Sequence, residues 1–273
     1  MKLSIITVNL NNRDGLKKTI DSVVSQTFRD FEWIVIDGGS TDGSKELIEQ
    51  YAEHFSYWVS EPDKGIYNAM NKGIRVAKGD YLQFLNSGDW LYDETALDRC
   101  FSHGFDADIA YGDIVFYEGE NKREYHYPKQ LTFRFLCQLS LGHPASFIKR
   151  DILQASLYDE NLRIVSDWKF FLIQALRNKR FEYLGEMVCN FVEDGISSVN
   201  ADLLEREREM VISEEVPDLL LLDYKLMDEM EAKLNQERVR KVLEYSKKKK
   251  LYCKMITGCL KIIDWLERQA LSN

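Results

Sequence analysis

Short apolar runs alternate with stretches of helical periodicity through the first 90 residues, and that alternation admits few folds. The apolar runs stand at 3–8, 32–36, 57–60 and 81–85, and residues 15–26 and 42–55 between them carry helical spacing. Leu16, Ile20, Val23 and Val24 fall at i, i+4, i+7 and i+8, on one helical face. The runs at 34–36 and 81–85 read as strands buried on both sides. Strand–helix–strand units of this length imply an α/β fold with a mostly parallel, doubly wound sheet. From 109 to about 192 the pattern changes: 109–117 and 181–191 read as strands, and 167–177 as a helix burying Trp168, Phe171, Leu172 and Ala175. These complete the same domain. After about residue 200 the chain is rich in Glu, Arg, Lys, Leu and Met with one proline, Pro217, which reads as helices without strands. The expected division is therefore an α/β domain over 1–200 and a helical extension over 201–273.

Composition removes several classes of function. With 36 Lys+Arg against 45 Asp+Glu the formal charge is −9, which argues against a nucleic-acid binder that uses its whole surface. No basic-then-apolar leader and no apolar stretch approaching about 18 residues is present, so the expected location is cytoplasmic. The five cysteines (Cys100, Cys137, Cys189, Cys253 and Cys259) are odd in number and widely spaced, without a CxxC pair. They indicate neither a disulfide framework nor a zinc site.

Ligands of open α/β sheets bind beyond the carboxyl ends of the strands, so polar residues directly after an apolar run carry the functional signal. Three such places occur. Asp37, Gly38, Gly39, Ser40, Thr41, Asp42 and Gly43 follow the second run; the glycines let backbone approach a ligand, and Asp37 is placed to accept from a base or ribose. The same residues also satisfy a tight turn with a Ser40, Thr41 or Asp42 helix cap. Neither GxGxxG nor GxxxxGK[ST] occurs, so nicotinamide-cofactor and P-loop readings lose their support. Residues 61–73 form a polar loop entering a helix, whose free N–H groups and Lys64 suit a phosphate as well as an ordinary cap. Asn86, Ser87, Gly88 and Asp89 end the fourth run; a carboxylate there suits a hard divalent cation that bridges phosphates, and the four residues equally make a β-turn.

In order and placement these loops resemble the nucleotide-sugar half of the family 2 glycosyltransferases, which have the GT-A fold. The matching blocks are 4–9, 37–43, 61–73 and 79–90, with a looser match to about residue 195. The resemblance implies an inverting transfer from a UDP- or GDP-type nucleotide-sugar donor to a sugar or lipid-linked sugar acceptor, in assembly of a bacterial surface polysaccharide. It implies that Asn9, Asp37, Gly39, Asp63, Lys64, Asn86 and His143 lie along the donor, and that Asp89 holds Mn2+ or Mg2+. Asn86 and Gly88 stand where that family often carries carboxylates. The thinned motif keeps a non-catalytic nucleotide-sugar binding protein as the alternative, and it lacks the second carboxylate that nucleotidyl transfer would need.

An inverting transfer needs a general base for the acceptor hydroxyl. The resemblance assigns it to Asp167, at the start of the 167–177 helix, although an acidic residue in a first turn also suits the helix dipole. Trp90 and Trp168 have the chemistry to stack on sugar rings or to fill the core. Lys247–Lys250 precede a stripe of Leu251, Tyr252, Met255, Ile256, Cys259, Ile262, Ile263 and Leu266. That basic amphipathic segment suits peripheral contact with an anionic membrane, packing on the catalytic domain, or a homo-oligomer contact.

Overall fold

A computed structural model of the chain describes residues 1–102, 104–193, 200–235, 240–241, 254, 257–258 and 260–261. It contains two compact units, Met1–Glu215 and Val216–Asn273. In the first, the chain forms β1 (Leu3–Asn9), α1 (Arg13–Val24), β2 (Phe31–Asp37), α2 (Ser44–Gln50), β3 (Tyr57–Ser60), α3 (Ile66–Val76) and β4 (Tyr81–Phe84). It continues through β5 (Trp90–Leu91), α4 (Ala96–Ser102), β6 (Ile109–Glu118), β7 (Asn121–Tyr125), α5 (Phe133–Gln138), β8 (Ser146–Lys149) and α6 (Arg150–Ala155). The unit closes with α7 (Ser166–Leu176), β9 (Phe181–Val192) and α8 (Ala201–Glu215). In the second unit α9 (Asp218–Leu234) exposes Leu219, Leu222, Leu226 and Met230.

The strands make one sheet in the order β3-β2-β1-β4-β8-β6-β9-β5, with β7 beside β6. The four strands that precede the polar loops are parallel to one another, as their helical crossovers require. β1, β2 and β4 are buried on both faces, with Ile5, Ile6, Ile34, Val35, Ile36 and Leu82 fully enclosed, while the edge strand β3 is partly exposed. Beyond β4 the sheet is mixed: β8 runs antiparallel to both β4 and β6, while β9 returns parallel to β6. Helix α1 buries Leu16, Thr19, Ile20 and Val23, so a threonine joins the apolar stripe; its hydroxyl donates to the Asp89 carbonyl oxygen at 2.7 Å and ties helix to loop.

Parallel register aligns the strand ends. Asn9 pairs with Asp37 across β1 and β2, and Asp37 with Ser60 across β2 and β3. The Leu85 and Ser87 N–H groups bond the Ile6 and Val8 carbonyls, which carries the 86–89 loop to the same edge. Because β8 is antiparallel to β4, its start lies at that edge too, and the short helical turn His143–Ala145 that feeds it brings His143 beside Asn86.

Cys100, Cys137 and Cys189 are buried free thiols. No helix among the described residues is long and apolar enough to cross a membrane. The expected basic stripe from Lys247 to Leu266 lies outside the described residues except at Lys254, Leu260 and a few positions between and beside them, of which Leu260 is exposed.

Candidate active site

Asp37 ends a strand buried on both sides, and its carboxylate is 0% exposed. Oδ1 accepts from Asn9 Nδ2 (2.7 Å) and Ser40 Oγ (2.5 Å); Oδ2 accepts from the Gly39 and Ser40 N–H groups (3.2 and 2.9 Å) and from Ser60 Oγ (2.6 Å). Five donors fill the lone pairs of one carboxylate. Burial pushes the Asp37 carboxyl up, but hydrogen bonds from Ser40, Ser60 and Asn9 outweigh it and hold the group below the usual carboxylate range. Asp37 thus shapes the loop from behind. Gly39 takes φ +82°, and a Cβ there would stand 3.1 Å from the Pro62 nitrogen. A Cβ on Gly38 would meet Asp63 Oδ2 at 2.5 Å. The 37–43 and 61–65 loops therefore close on each other, with the Asp63 carboxylate laid over the Gly38 backbone. Asp63 Oδ1 also accepts from the Gly65 N–H at 2.8 Å, and Lys64 is exposed at the rim.

Asp167 lies in the first turn of α7, where no side chain caps the helix. Its Oδ2 is 3.0 Å from His143 Nδ1, and its Oδ1 is 3.0 Å from the Tyr67 hydroxyl, which also reaches the Ile164 carbonyl oxygen at 2.6 Å. On its other side the imidazole Nε2 is 2.9 Å from Asn86 Nδ2. With the Asn86 amide donating, the neutral ring carries its hydrogen on Nδ1 and gives it to Asp167. Side-chain exposure is 15% at His143 and 17% at Asp167, so the pair is enclosed yet reachable.

Burial pushes His143 down, but the bond and charge of Asp167, with the field of Asp89 added, raise its pKa above the usual value. Burial likewise pushes Asp167 up, and bonds from His143, Tyr67 and the Trp168 N–H hold it below the usual range. Burial and the neighbouring Asp167 carry the Tyr67 phenol well above its ordinary value, so it remains a donor. The arrangement is an ionised, largely enclosed carboxylate held by three donors, next to a strand-end loop.

The Asp89 carboxylate is buried in that loop. Among the described residues no three His, Cys, Asp or Glu side chains converge as a metal cage. Asn86 Oδ1, however, is a buried oxygen with no hydrogen-bond partner. One carboxylate and one amide oxygen fit a hard cation that takes its remaining ligands from water and phosphate.

The strand-end residues foreseen from sequence thus converge: Asn9, Asp37, Gly39 and Asp63 on one side, Asn86, Asp89, His143 and Asp167 on the other. The residues not foreseen in roles are Ser60, which register alone pairs with Asp37, and Tyr67, which lies in a loop singled out for phosphate. Trp168 is core, its indole N–H donating to the Leu136 carbonyl oxygen at 2.6 Å. The face of Trp90 carries Lys18 Nζ, 3.1 Å from the ring centroid.

Comparison with known proteins places this geometry. A family model described as glycosyl transferase family 2 matches residues 4–154. An uncharacterized glycosyltransferase of Mycobacterium tuberculosis is 49% identical over 88 residues, 32% of this chain; the match spans about a third of that relative's length, 34%. A PGL/p-HBAD biosynthesis glycosyltransferase of Mycobacterium bovis is 30% identical over 175 residues, covering 61% of this chain and 67% of the relative. Among solved structures, S. aureus TarS 1-349 in complex with UDP-GlcNAc aligns with a TM-score of 0.62 at 19% identity, over 80% of this chain and 68% of that one. A mannosyltransferase from Pyrobaculum calidifontis in complex with GDP-Man and Mn2+ aligns at 0.56 and 14% identity, over 94% and 83%.

Proposed function

This chain belongs to glycosyl transferase family 2, and from that premise we propose that its cleft transfers a sugar, with inversion, from a nucleoside-diphosphate sugar of the UDP or GDP type to an acceptor hydroxyl. The observation that carries the reading is the Asp167 carboxylate, ionised and pinned by His143 and Tyr67 beside the loop that bears Asp89. The nucleotide lies along the 37–43 and 61–65 loops, with Asp37 fixing the loop, Asn9 and Gly39 shaping its floor, and Asp63 and Lys64 toward the ligand. Asn86 and His143 border the diphosphate and the acceptor.

Asp167 takes the proton of the acceptor hydroxyl as that oxygen bonds to the anomeric carbon, and the bond from that carbon to the diphosphate breaks on the opposite face. His143 and Tyr67 keep the carboxylate aimed and ionised. A divalent cation, Mn2+ or Mg2+, held by Asp89 with the Asn86 amide oxygen would offset charge developing on the departing diphosphate. The name of the Mycobacterium bovis relative, a PGL/p-HBAD biosynthesis glycosyltransferase, supports an acceptor of that biosynthetic kind.

A panel of UDP-, GDP- and dTDP-sugars, with and without Mn2+ or Mg2+, tests the reading by thermal shift and released nucleotide. One donor should stabilise the fold, by about 2.7 kcal/mol at 100-fold over Kd, and release nucleotide slowly in the presence of metal. Failure of every nucleotide sugar to bind would refute the reading of all three loops.

A further inference from the structure

Glu207 belongs to α8, beyond every loop described above, yet it is buried, with 8% exposure. Its Oε1 accepts from the Arg163 N–H at 2.8 Å, and its Oε2 from the Ile164 and Val165 N–H groups at 3.0 and 3.3 Å. These three donors belong to the turn that leads directly into Ser166 and Asp167. Buried N–H groups before a helix need an acceptor, and Val165, at the cap position, supplies none from its side chain. Glu207 supplies it from another element. The same turn is gripped from the opposite side, where the Tyr67 hydroxyl takes the Ile164 carbonyl oxygen at 2.6 Å. A third tie is the Ser166 hydroxyl, which accepts from the Asp159 N–H at 2.6 Å. The next residue of α8, Arg208, donates from Nη1 to the Gln138 carbonyl oxygen at 2.8 Å and lays its guanidinium 5.0 Å above the Trp168 ring. Helix α8 therefore joins the end of α5 to the start of α7.

We propose that Glu207 is a positioning residue for the reaction: by holding the 163–165 turn it fixes Asp167 at the distance where His143 and Tyr67 both reach it, which makes α8 part of the catalytic unit. The inference rests on Asp167 being the base. A displacement of about 1 Å at a reacting group is enough to cost on the order of 100-fold in rate. A carboxylate has the acceptor capacity for three N–H groups in two directions, whereas the isosteric amide has one oxygen and would turn two donors of its own toward the turn.

The full-length Glu207→Gln protein tests this, with Glu205→Gln on the exposed face of α8 as control. Hydrogen exchange at the 163–165 amides is read together with kcat and donor KM for nucleotide release. The expected result is faster exchange at those amides and a fall in kcat of about tenfold or more, with donor KM unchanged and the control like wild type. A purely structural role would instead lower the amount of folded enzyme and leave kcat per folded molecule as it was. Unchanged kcat with faster exchange, or unchanged exchange, overturns the proposal. Should Glu207→Gln fail to fold, Glu207→Asp, which keeps the charge but withdraws it by one methylene, is read in the same way. A wild-type chain inert toward every donor would count against the reading of Asp167 itself, and the exchange result would still decide whether Glu207 holds the turn.

Discussion

Replacing Asp167 by asparagine separates chemistry from folding. In the native site Oδ1 accepts from the Tyr67 hydroxyl and Oδ2 from His143 Nδ1, each at 3.0 Å. The amide keeps its oxygen toward His143 Nδ1–H and turns its NH2 toward the Tyr67 oxygen, whose own hydrogen goes to the Ile164 carbonyl oxygen 2.6 Å away, so His143 and Asn86 keep their places. The variant thus loses the charge and about one charge-assisted bond, a cost of about 1.5–3 kcal/mol. The rate suffers more. An amide has no useful basicity, and a positioned base contributes about 10²–10⁴-fold, or about 3–5 kcal/mol of barrier at 1.36 kcal/mol per tenfold. Single-turnover release and transfer at saturating donor, with donor affinity measured by titration, reads the two quantities apart. The expected outcome is a folded protein that binds donor as wild type does and turns over at least about 100-fold more slowly. A rate within about threefold of wild type, under conditions where the chemical step limits, would refute Asp167 as the base.

Asp37→Ala should cost at least about 3 kcal/mol, because the Gly39 and Ser40 N–H groups and the Asn9 amide lose their acceptor while only the two serine hydroxyls are free to re-aim. Asp37→Asn should cost about half as much, since it keeps one oxygen; urea melts followed by circular dichroism measure both, and an alanine variant within about 1 kcal/mol of wild type would show that the loop is held by something else. The Asp167 and His143 shifts also set a pH window. Asp167, held low, contributes stability above the usual carboxylate pKa of about 3.9 that is lost as pH falls through its lower native value; His143, held high, contributes stability below about 6.5 that is lost as pH rises through its higher native value. The pair therefore stabilises most between about pH 4 and 6.5, and the Tm advantage of wild type over Asp167→Asn should shrink as pH rises from 6 to 8. A constant difference across that range would contradict the pairing.

What was legible in the sequence is what local pattern encodes. Strands β1 to β4 fall within a residue or two of their apolar runs; for β1, β2 and β4 burial on both faces leaves no other composition open. Asp37 was legible because it directly follows an apolar run, and Asn9 only through the family resemblance; the parallel register sets the two side by side. Strand β7 was not legible: Asn121–Tyr125 is polar and mostly exposed, paired on one side of β6, so it has no apolar face to announce it. Glu207 was hidden for the opposite reason. It stands in the run Glu205, Arg206, Glu207, Arg208, Glu209, which has the look of a solvated helix, and only the tertiary structure shows that one of its carboxylates is buried against backbone 42 to 44 residues away. Tyr67 and Asp167 are 100 residues apart, and no spacing rule joins them.

In the proposed reaction the two halves of the sheet take different parts. The parallel half gives strand ends whose register aligns Asn9, Asp37 and Ser60. The mixed half carries Asp167, the proposed base, on a helix whose first turn has no side-chain cap of its own and is held by Tyr67 and Glu207. An uncapped start is a loss for folding that leaves the turn free to be set by its neighbours. Asn86, in the loop after β4, bonds His143, and His143 bonds Asp167, so the loop that bears Asp89 and the proposed base share one imidazole.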